Sequence, residues 1–179
     1  MAEAFINQVN RAVGIVTSSS NASIGIGLTW MSGISTAHVA IHDLVDNANF
    51  IAGTKVTLVG VSSVQLDRAS TNTVAATASN VSFLGPTTSY SSASATKSIL
   101  IGGTFANNTA NSVNLTVTVY DNTAAVESQL ASKKPDPTGS SFVISDAGKT
   151  VLEGDDELRV YCDTENAIDV NLSILKGVS

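Results

Sequence analysis

Apolar and polar residues alternate along several segments in the second half of the chain. Valine and leucine alternate with asparagine and threonine over residues 113–120, and similar alternation runs through 158–163 and 168–174. A strand with this pattern has one face for a core and one for water. Packing two antiparallel sheets face to face buries every apolar row, so residues 86–179 are predicted to form a jelly-roll-like antiparallel β-sandwich. Its core is expected to include Val117, Val160, Val170 and Leu172.

Residues 21–85 contain shorter apolar segments separated by glycine and polar turns. Residues 55–60 and 63–68 are predicted to pair as a hairpin with Gly60 in the connection. Short strands at this spacing are typical of a small all-β unit. We therefore expect a small β-rich element inserted ahead of the sandwich, and an all-β chain.

One stretch in the second half has a composition compatible with a helix. It covers residues 124–132, and Pro135 and Pro137 follow it. Because proline cannot continue a helix, the segment is expected to end there in a loop.

Residues 1–20 are predicted to form an N-terminal arm. Its apolar residues recur at roughly helical spacing, but the stretch is short, so a helix and an extended strand both remain open. These side chains need a surface to cover them, on this chain or on a neighbouring subunit. Deleting residues 1–16 is expected to leave a folded sandwich that no longer joins its assembly. The candidate assembly contacts are Phe5, Ile6, Val9 and Val13.

Few residues of this chain are charged. Charged residues make up 13% of it, about half the average for globular proteins, while it contains 24 serines, 19 threonines and 14 asparagines. Uncharged hydrogen bonds and apolar burial are insensitive to screening by salt. Such a composition suits contacts that persist as conditions change.

Charge and cysteine content exclude several classes of partner and location. A net charge of −6 leaves no basic stripe for nucleic acid. The single cysteine, Cys162, cannot form an internal disulfide, and no apolar run approaches the length of a membrane span. Glu3 stands where a signal peptide would be basic. We expect synthesis and assembly in a cytoplasm, with no membrane partner.

His38 and His42 are the only histidines, and Asp43 follows the second. A helical zinc pair of the HExxH kind has glutamate directly after the first histidine, and here Val39 occupies that position. The pattern favours two solvent-facing side chains on an extended segment. No metal site is therefore expected.

Four carboxylates lie within residues 153–157, but their spacing does not fit a calcium-binding loop, so a solvated turn between strands is expected.

Cys162 falls on the inward face of its strand and is expected to be buried. Of the few aromatic residues, Trp30 and Tyr120 are the best placed to contact a partner, although a packed ring is expected for Trp30. No catalytic or cofactor-binding motif is present, and no enzyme activity or cofactor is expected.

Three segments in the second half of the chain are informative beyond their alternation: ILIGGTFANNTANSVNLTVTVYD (99–121), KKPDPTGSSFVI (133–144) and GKTVLEGDDELRVYCDTENAIDVNLSIL (148–175). In this order they resemble small virion proteins of tailed bacteriophages. The opening MAEAFINQVNRAVGIVTSS is similar to the start of such proteins in contractile-tailed marine cyanophages. The segment GTKVTLVG with VQLDRASTNT looks like a small β element of phage fibre-like proteins.

This resemblance implies a structural protein of a virion, with no catalytic residue to carry over. We expect a capsid decoration or cement protein on the head exterior, bound to the major capsid protein. The alternative is a tail, neck or baseplate-associated fibre or adaptor protein with host-surface contact. In either position we expect a homo-oligomer, with a trimer as the working hypothesis, since an oligomer covers exposed sheet edges.

Overall fold

The computed structural model describes residues 3–19, 22–73, 80–144 and 149–178. Every regular element in these ranges is a β-strand, which confirms the predicted all-β class. The described residues contain no helix of the length and apolarity needed to cross a membrane.

The strands of the described residues, in chain order, are β1 (Ala4–Val13), β2 (Ile15–Ser19), β3 (Trp30–Ser32), β4 (Leu44–Asp46), β5 (Val56–Val59), β6 (Ser63–Leu66), β7 (Val81–Gly85), β8 (Thr87–Ser91), β9 (Lys97–Asn107), β10 (Val113–Asp121), β11 (Val126–Asp136), β12 (Ser141–Ile144), β13 (Thr150–Leu152), β14 (Glu157–Cys162) and β15 (Ile168–Val178). They belong to two compact units. The jelly-roll unit comprises Met1–Gly14 and Thr87–Ser179, and the inserted unit comprises Ile15–Pro86.

The jelly-roll unit consists of two antiparallel sheets. One has the order β1-β15-β9-β12, with β13 also paired to β9, and the other has the order β11-β10-β14-β8. With β12 and β13 counted as one interrupted strand, the eight described strands of this unit have the orders 1-8-3-6 and 5-4-7-2. That arrangement is a jelly roll, as predicted, and the inserted unit enters it between its first and second strands.

The core of the jelly-roll unit lies between its two sheets. Val117, Val160, Val170 and Leu172 are all buried in it, as predicted. Each belongs to a segment of strict alternation, and the opposite-facing residues of β15 are mainly polar. The alternation therefore identified the core-facing residues correctly. The opposite side of β14 is not open to water as expected, because Arg159 and Tyr161 are buried there.

The N-terminal segment is not a separate arm. Its first part, β1, pairs antiparallel with β15 from Ala4 to Val13, and its second part, β2, pairs with β7 of the inserted unit. The expected boundary at residue 20 is therefore wrong, and the chain passes between the units at Gly14. Gly14 has a φ of 133°, and a Cβ there would collide with the carbonyl oxygen of Thr164.

Residues 124–132 do not form a helix. Strand β11 begins at Val126 and pairs antiparallel with β10 as the edge of its sheet. Pro135 is tolerated in it because an edge strand has one row of backbone groups without a ladder partner. Pairing with a neighbouring strand has overridden a local composition that permits helix.

The inserted unit has two three-stranded sheets, β2-β7-β4 and β3-β6-β5. Strands β5 and β6 pair antiparallel, which confirms the predicted hairpin. A core of apolar side chains fills this unit, including Met31, Val56, Val64 and Phe83.

Asp43 is a buried carboxylate in the inserted unit, 3% exposed. Its Oδ2 accepts a hydrogen bond from the backbone N–H of Ala40 at 2.8 Å. Burial raises the pKa of Asp43, and the hydrogen bond from Ala40 and the charge of His42 offset this only in part. Because its pKa is higher in the folded than in the unfolded protein, the ionised form opposes folding at neutral pH.

We therefore expect Asp43→Asn to raise the melting temperature by about 2 °C at neutral pH, since asparagine can still accept the bond from Ala40. The melting temperature of the wild-type protein should approach that of the variant as the pH falls through the pKa of folded Asp43. The difference should vanish below about pH 4, the usual range of the carboxyl group. Melting curves of both proteins between neutral and acid pH test this, and a destabilised variant at neutral pH would contradict it.

Candidate assembly surface

Strand β1 presents two of the four candidate contacts to solvent and two to its own core. Phe5 and Val9 are 77% and 60% exposed. Ile6 packs against the core of the jelly-roll unit, and Val13 is buried there at 2% exposure. Val13 is therefore not available as a docking contact, which corrects that part of the prediction, and the partly buried Ile6 lies on the core side of β1.

The inward turn of Val13 results from a bulge. The register with β15 shifts between Asn10 and Val13, and Ala12 has a φ of 56°. The N–H of Ala12 donates to Asp169 Oδ1 at 2.9 Å, which anchors the bulge to the end of β15. An extra residue in one strand moves the following side chains to the opposite face, so Val13 no longer lies on the side of Phe5 and Val9.

Phe5 begins an apolar row that crosses the outer side of its sheet. It lies opposite Leu175 of β15, Leu175 lies opposite Ile99 of β9, and Ile99 lies opposite Val151 of β13. Side chains directly opposite on neighbouring strands are in contact distance. Four strands thus contribute one continuous apolar row to the outer surface.

A second row crosses the same side of the sheet at the level of Val9. Its members in strand order are Val9, Asn171, Thr104 and Val143. Both ends of this row are apolar, with Val143 54% exposed, while its middle carries an amide and a hydroxyl. Between the two rows lie Asn7 and Ser173.

Together these side chains form one surface, which we call the assembly face. It consists of Phe5, Asn7, Val9, Ile99, Thr104, Val143, Val151, Asn171, Ser173 and Leu175.

Charged side chains border the assembly face. Within the described part of the chain, Glu3 and Arg11 flank it along β1, Asp169 lies two residues before Asn171 on β15, and the exposed Lys149 lies between Val143 and Val151 in the sequence. At the far side, Lys97 Nζ lies 3.0 Å from Glu153 Oε1 in an exposed ion pair. A centre without charge and a polar rim are features of protein interfaces.

Comparisons with known proteins do not assign the chain to a family. No family model and no curated protein matches the chain. Isomalto-dextranase of Arthrobacter globiformis T6, solved with panose, is a structural neighbour at 12% identity and a TM-score of 0.23. The match covers 97% of this chain and 34% of the enzyme. A similarity of this size carries no argument about fold or function.

The histidines lie in turns rather than in an extended segment. His38 and His42 have φ values of 66° and 79°, and both side chains are exposed, as predicted. The described residues contain no group of three or more histidine, cysteine, aspartate or glutamate side chains that could hold a metal ion.

The acidic cluster is a turn between β13 and β14, as predicted, although one member is buried. Asp156 is 5% exposed, and its two carboxylate oxygens accept hydrogen bonds from the N–H groups of Asn122 and Glu153 at 3.0 and 2.9 Å. Its carboxylate therefore holds two segments of backbone together. This structural role accounts for the most buried of the four acidic residues.

The two aromatic candidates for partner contact differ from each other. Trp30 is 49% exposed on the outer side of the β3-β6-β5 sheet, so the expected packed ring is wrong. Tyr120 is partly buried beneath the guanidinium of Arg159, which lies 3.9 Å from the centre of its ring. Trp30 alone of the two offers a largely open ring.

Cys162 is buried, as predicted, and burial raises the pKa of its thiol to about 11. Thiol reagents attack the thiolate, so both burial and the raised pKa slow the reaction. We expect labelling of the native protein near pH 8 to be at least ~100-fold slower than labelling of the denatured protein. Absorbance of the released thiolate from an aromatic disulfide reagent measures this, and equal rates in the two states would contradict it.

Proposed function

We propose that this protein is a structural component of a tailed-bacteriophage virion. In this proposal it is a capsid decoration or cement protein on the head exterior that acts by assembly and has no enzymatic role. It is made and assembled in the host cytoplasm and binds other virion proteins, the major capsid protein among them. The resemblance of residues 99–175 to small virion proteins supports a place in a virion. The exposed apolar surfaces of the two units support a role in assembly.

One observation carries the assembly role: both units expose apolar side chains in groups. The jelly-roll unit has the assembly face, and the inserted unit exposes Trp30 and Leu58, at 49% and 44%, on either side of Gln65. Grouped apolar side chains on a protein surface mark interaction sites more often than scattered ones do. A chain with one such surface on each of two units is suited to join two partners.

The test is the number of copies in purified particles of the phage that encodes the chain. Quantitative mass spectrometry against a labelled standard, with the major capsid protein as internal reference, gives this number. A decoration protein should be present in copies on the order of hundreds. Complete absence of the protein from particles would overturn the virion proposal, and a handful of copies would overturn the head position.

A tail, neck or baseplate adaptor is the second candidate, favoured by the outer side of the inserted unit. Trp30 of β3 and Leu58 of β5 lie opposite Gln65 of β6, so an open indole, an amide and an apolar chain form one row. An indole beside a hydrogen-bonding amide suits an amphipathic ligand such as a host-surface sugar. A handful of copies per particle together with loss of host attachment in Trp30→Ala would support this position.

A further inference from the structure

We propose that the chain cleaves its own peptide bond between Asp136 and Pro137, with the side-chain carboxyl group of Asp136 as the nucleophile. This is a single-turnover reaction of the chain on itself, and it does not depend on the proposed function. The sequence contains one aspartate–proline bond, at this position. Proline supplies a leaving nitrogen in a tertiary amide, and the aspartate carboxyl group reaches its own backbone carbonyl carbon in a five-membered ring.

The bond lies where a buried strand end meets an exposed turn. Asp136 is the last residue of β11 and is 2% exposed, whereas Pro137 and Thr138 are exposed. The N–H of Ser140 donates to the carbonyl oxygen of Pro137 at 3.1 Å, which closes the turn. The nucleophile is therefore shielded from water, while the leaving nitrogen belongs to a residue at the surface.

The two carboxyl oxygens of Asp136 have different surroundings. Ser140 Oγ lies 2.5 Å from Oδ1. Oδ2 is buried and accepts no hydrogen bond from any residue that the structure describes. A buried oxygen without a donor costs stability, and a role in catalysis is one reason why such an atom is retained. Because no donor holds Oδ2, its lone pairs are available for attack on the adjacent carbonyl carbon.

The backbone carbonyl oxygen of Asp136 lies among hydrogen-bond donors. Asn107 Nδ2 donates to it at 2.8 Å, and Ser112 Oγ lies 3.5 Å from it. The orientation of the Asn107 amide is fixed, because its Oδ1 accepts the backbone N–H of Thr109 at 2.8 Å. Asn107 is 6% exposed, so its N–H acts in a site of low dielectric. A donor in this position polarises the carbonyl group and stabilises the oxyanion that forms when a nucleophile adds to it.

The contacts of Ser140 fit the protonated form of the carboxyl group. Its hydroxyl has one proton but lies 2.5 Å from Asp136 Oδ1 and 2.8 Å from the carbonyl oxygen of Pro137. Both contacts are satisfied when Oδ1 donates to Ser140 and Ser140 donates to Pro137. Cys162 is close enough for its pKa to respond to Asp136, but burial raises that pKa to about 11. Its neutral thiol therefore adds no charge beside the carboxyl group.

The reaction has two balanced steps. In the first, Oδ2 bonds to the backbone carbonyl carbon of Asp136, the C–N bond to Pro137 breaks, and the carboxyl proton passes to the proline nitrogen. The products are a cyclic anhydride of Asp136 and a free N-terminal proline. In the second step, water opens the anhydride to a C-terminal aspartate. Strand β11 pairs with β10 and strand β12 pairs with β9, so both ends of the cut remain held in their sheets.

The experiment is incubation of the full chain at about pH 5, with the masses of fragments 1–136 and 137–179 followed over time. The native chain should be cleaved at least ~100-fold faster than the same chain unfolded in urea, because only the fold places Asn107 on the carbonyl oxygen. Asp136→Asn removes the nucleophile and should abolish cleavage. Asp121→Asn is the matched control, because Asp121 also ends a strand and accepts a hydrogen bond from the turn that follows, but no proline follows it.

Two further measurements keep the test independent of the folding of one variant. Hydroxylamine in the incubation should leave a hydroxamate at Asp136, because it attacks the anhydride. Pro137→Ala changes an exposed residue and should slow cleavage at least ~10-fold, because the alanine nitrogen is less basic than that of proline. Circular dichroism of each variant establishes that the fold is intact.

Three results would each overturn self-cleavage by this site. They are a native chain that stays intact, equal rates in the native and unfolded chains, and cleavage that persists in folded Asp136→Asn. Cleavage without a hydroxamate would overturn the anhydride and with it the role of Asp136 as nucleophile.

Discussion

Deletion of residues 1–14 is expected to unfold the jelly-roll unit, because these residues form an edge strand of its sheet. Strand β1 pairs with β15 over most of its length, and its loss would expose the backbone of β15 along a new edge. Deletion would also remove the buried Val13 from the core, at roughly 1.5–3 kcal/mol, together with the packing of the partly buried Ile6. These losses are comparable with the whole stability of a domain, ~5–15 kcal/mol.

Near-ultraviolet circular dichroism and urea unfolding of the truncated protein measure this effect. An independent arm predicts the opposite result, a truncated protein with unchanged melting.

Two point variants separate loss of packing from loss of length. Val13→Asp buries a charge and should destabilise by about 3–4 kcal/mol. Val9→Asp places the same charge on an exposed position of the same strand and should change stability by less than about 0.5 kcal/mol.

The C-terminal strands could be predicted from local pattern alone. Apolar residues alternate with polar ones along β10 and along residues 168–174 of β15, so the period and the core-facing side were both evident. The N-terminal strand could not be assigned in this way. A spacing of four residues between Phe5 and Val9 fits one face of a strand as well as one side of a helix. Its partner β15 begins more than 150 residues later, and no local signal reveals such a pairing.

Only part of the assembly face could be predicted, for the same reason. Phe5 and Val9 could be predicted because apolar residues recur through the N-terminal segment and need a surface to cover them. Val143 and Val151 belong to strands of four and three residues, too short for a periodic signal. That they join Phe5 and Val9 on one surface depends on the register of four strand pairings. Val13 was misassigned because the bulge in β1 that turns it inward leaves no signal in the sequence.

A buried polar cluster on the β11-β10-β14 sheet gives the second large prediction. The hydroxyl of Tyr161 donates to Glu127 Oε1 at 2.8 Å, and the hydroxyl of Thr118 donates to the same oxygen. Arg159 Nη1 lies 3.9 Å from Glu127 Oε2, with side-chain exposures of 10% and 2%. The Nε of Arg159 also donates to Glu157 Oε2 at 2.7 Å. Glu127 is thus a buried anion compensated by one cation and two hydroxyl donors.

Burial raises the pKa of Tyr161 above its ordinary value, and the Glu127 carboxylate adds to the effect. The phenol therefore stays protonated and remains a donor to Glu127 in the folded protein. Because the pKa of Tyr161 is higher in the folded than in the unfolded protein, the contribution of the protonated phenol to stability is complete below about pH 10. It is lost as the pH rises further, so Tyr161 should ionise only as the protein unfolds. Absorbance of ionised tyrosine, followed beside circular dichroism, should show one late step that coincides with unfolding.

Removing one charge of this cluster should destabilise the protein far more than removing both. Glu127→Leu leaves Arg159 with one fewer compensating charge in a buried site and deprives Tyr161 and Thr118 of their acceptor, so we expect a loss of about 3–5 kcal/mol. Adding Arg159→Met to Glu127→Leu removes the buried cation as well and should recover a large part of that loss. Glu127→Gln, which keeps an acceptor oxygen, should fall between the wild type and Glu127→Leu. Urea unfolding of the three variants measures these differences. A loss of stability in Glu127→Leu no larger than in an exposed substitution such as Glu165→Leu would contradict a compensated buried anion.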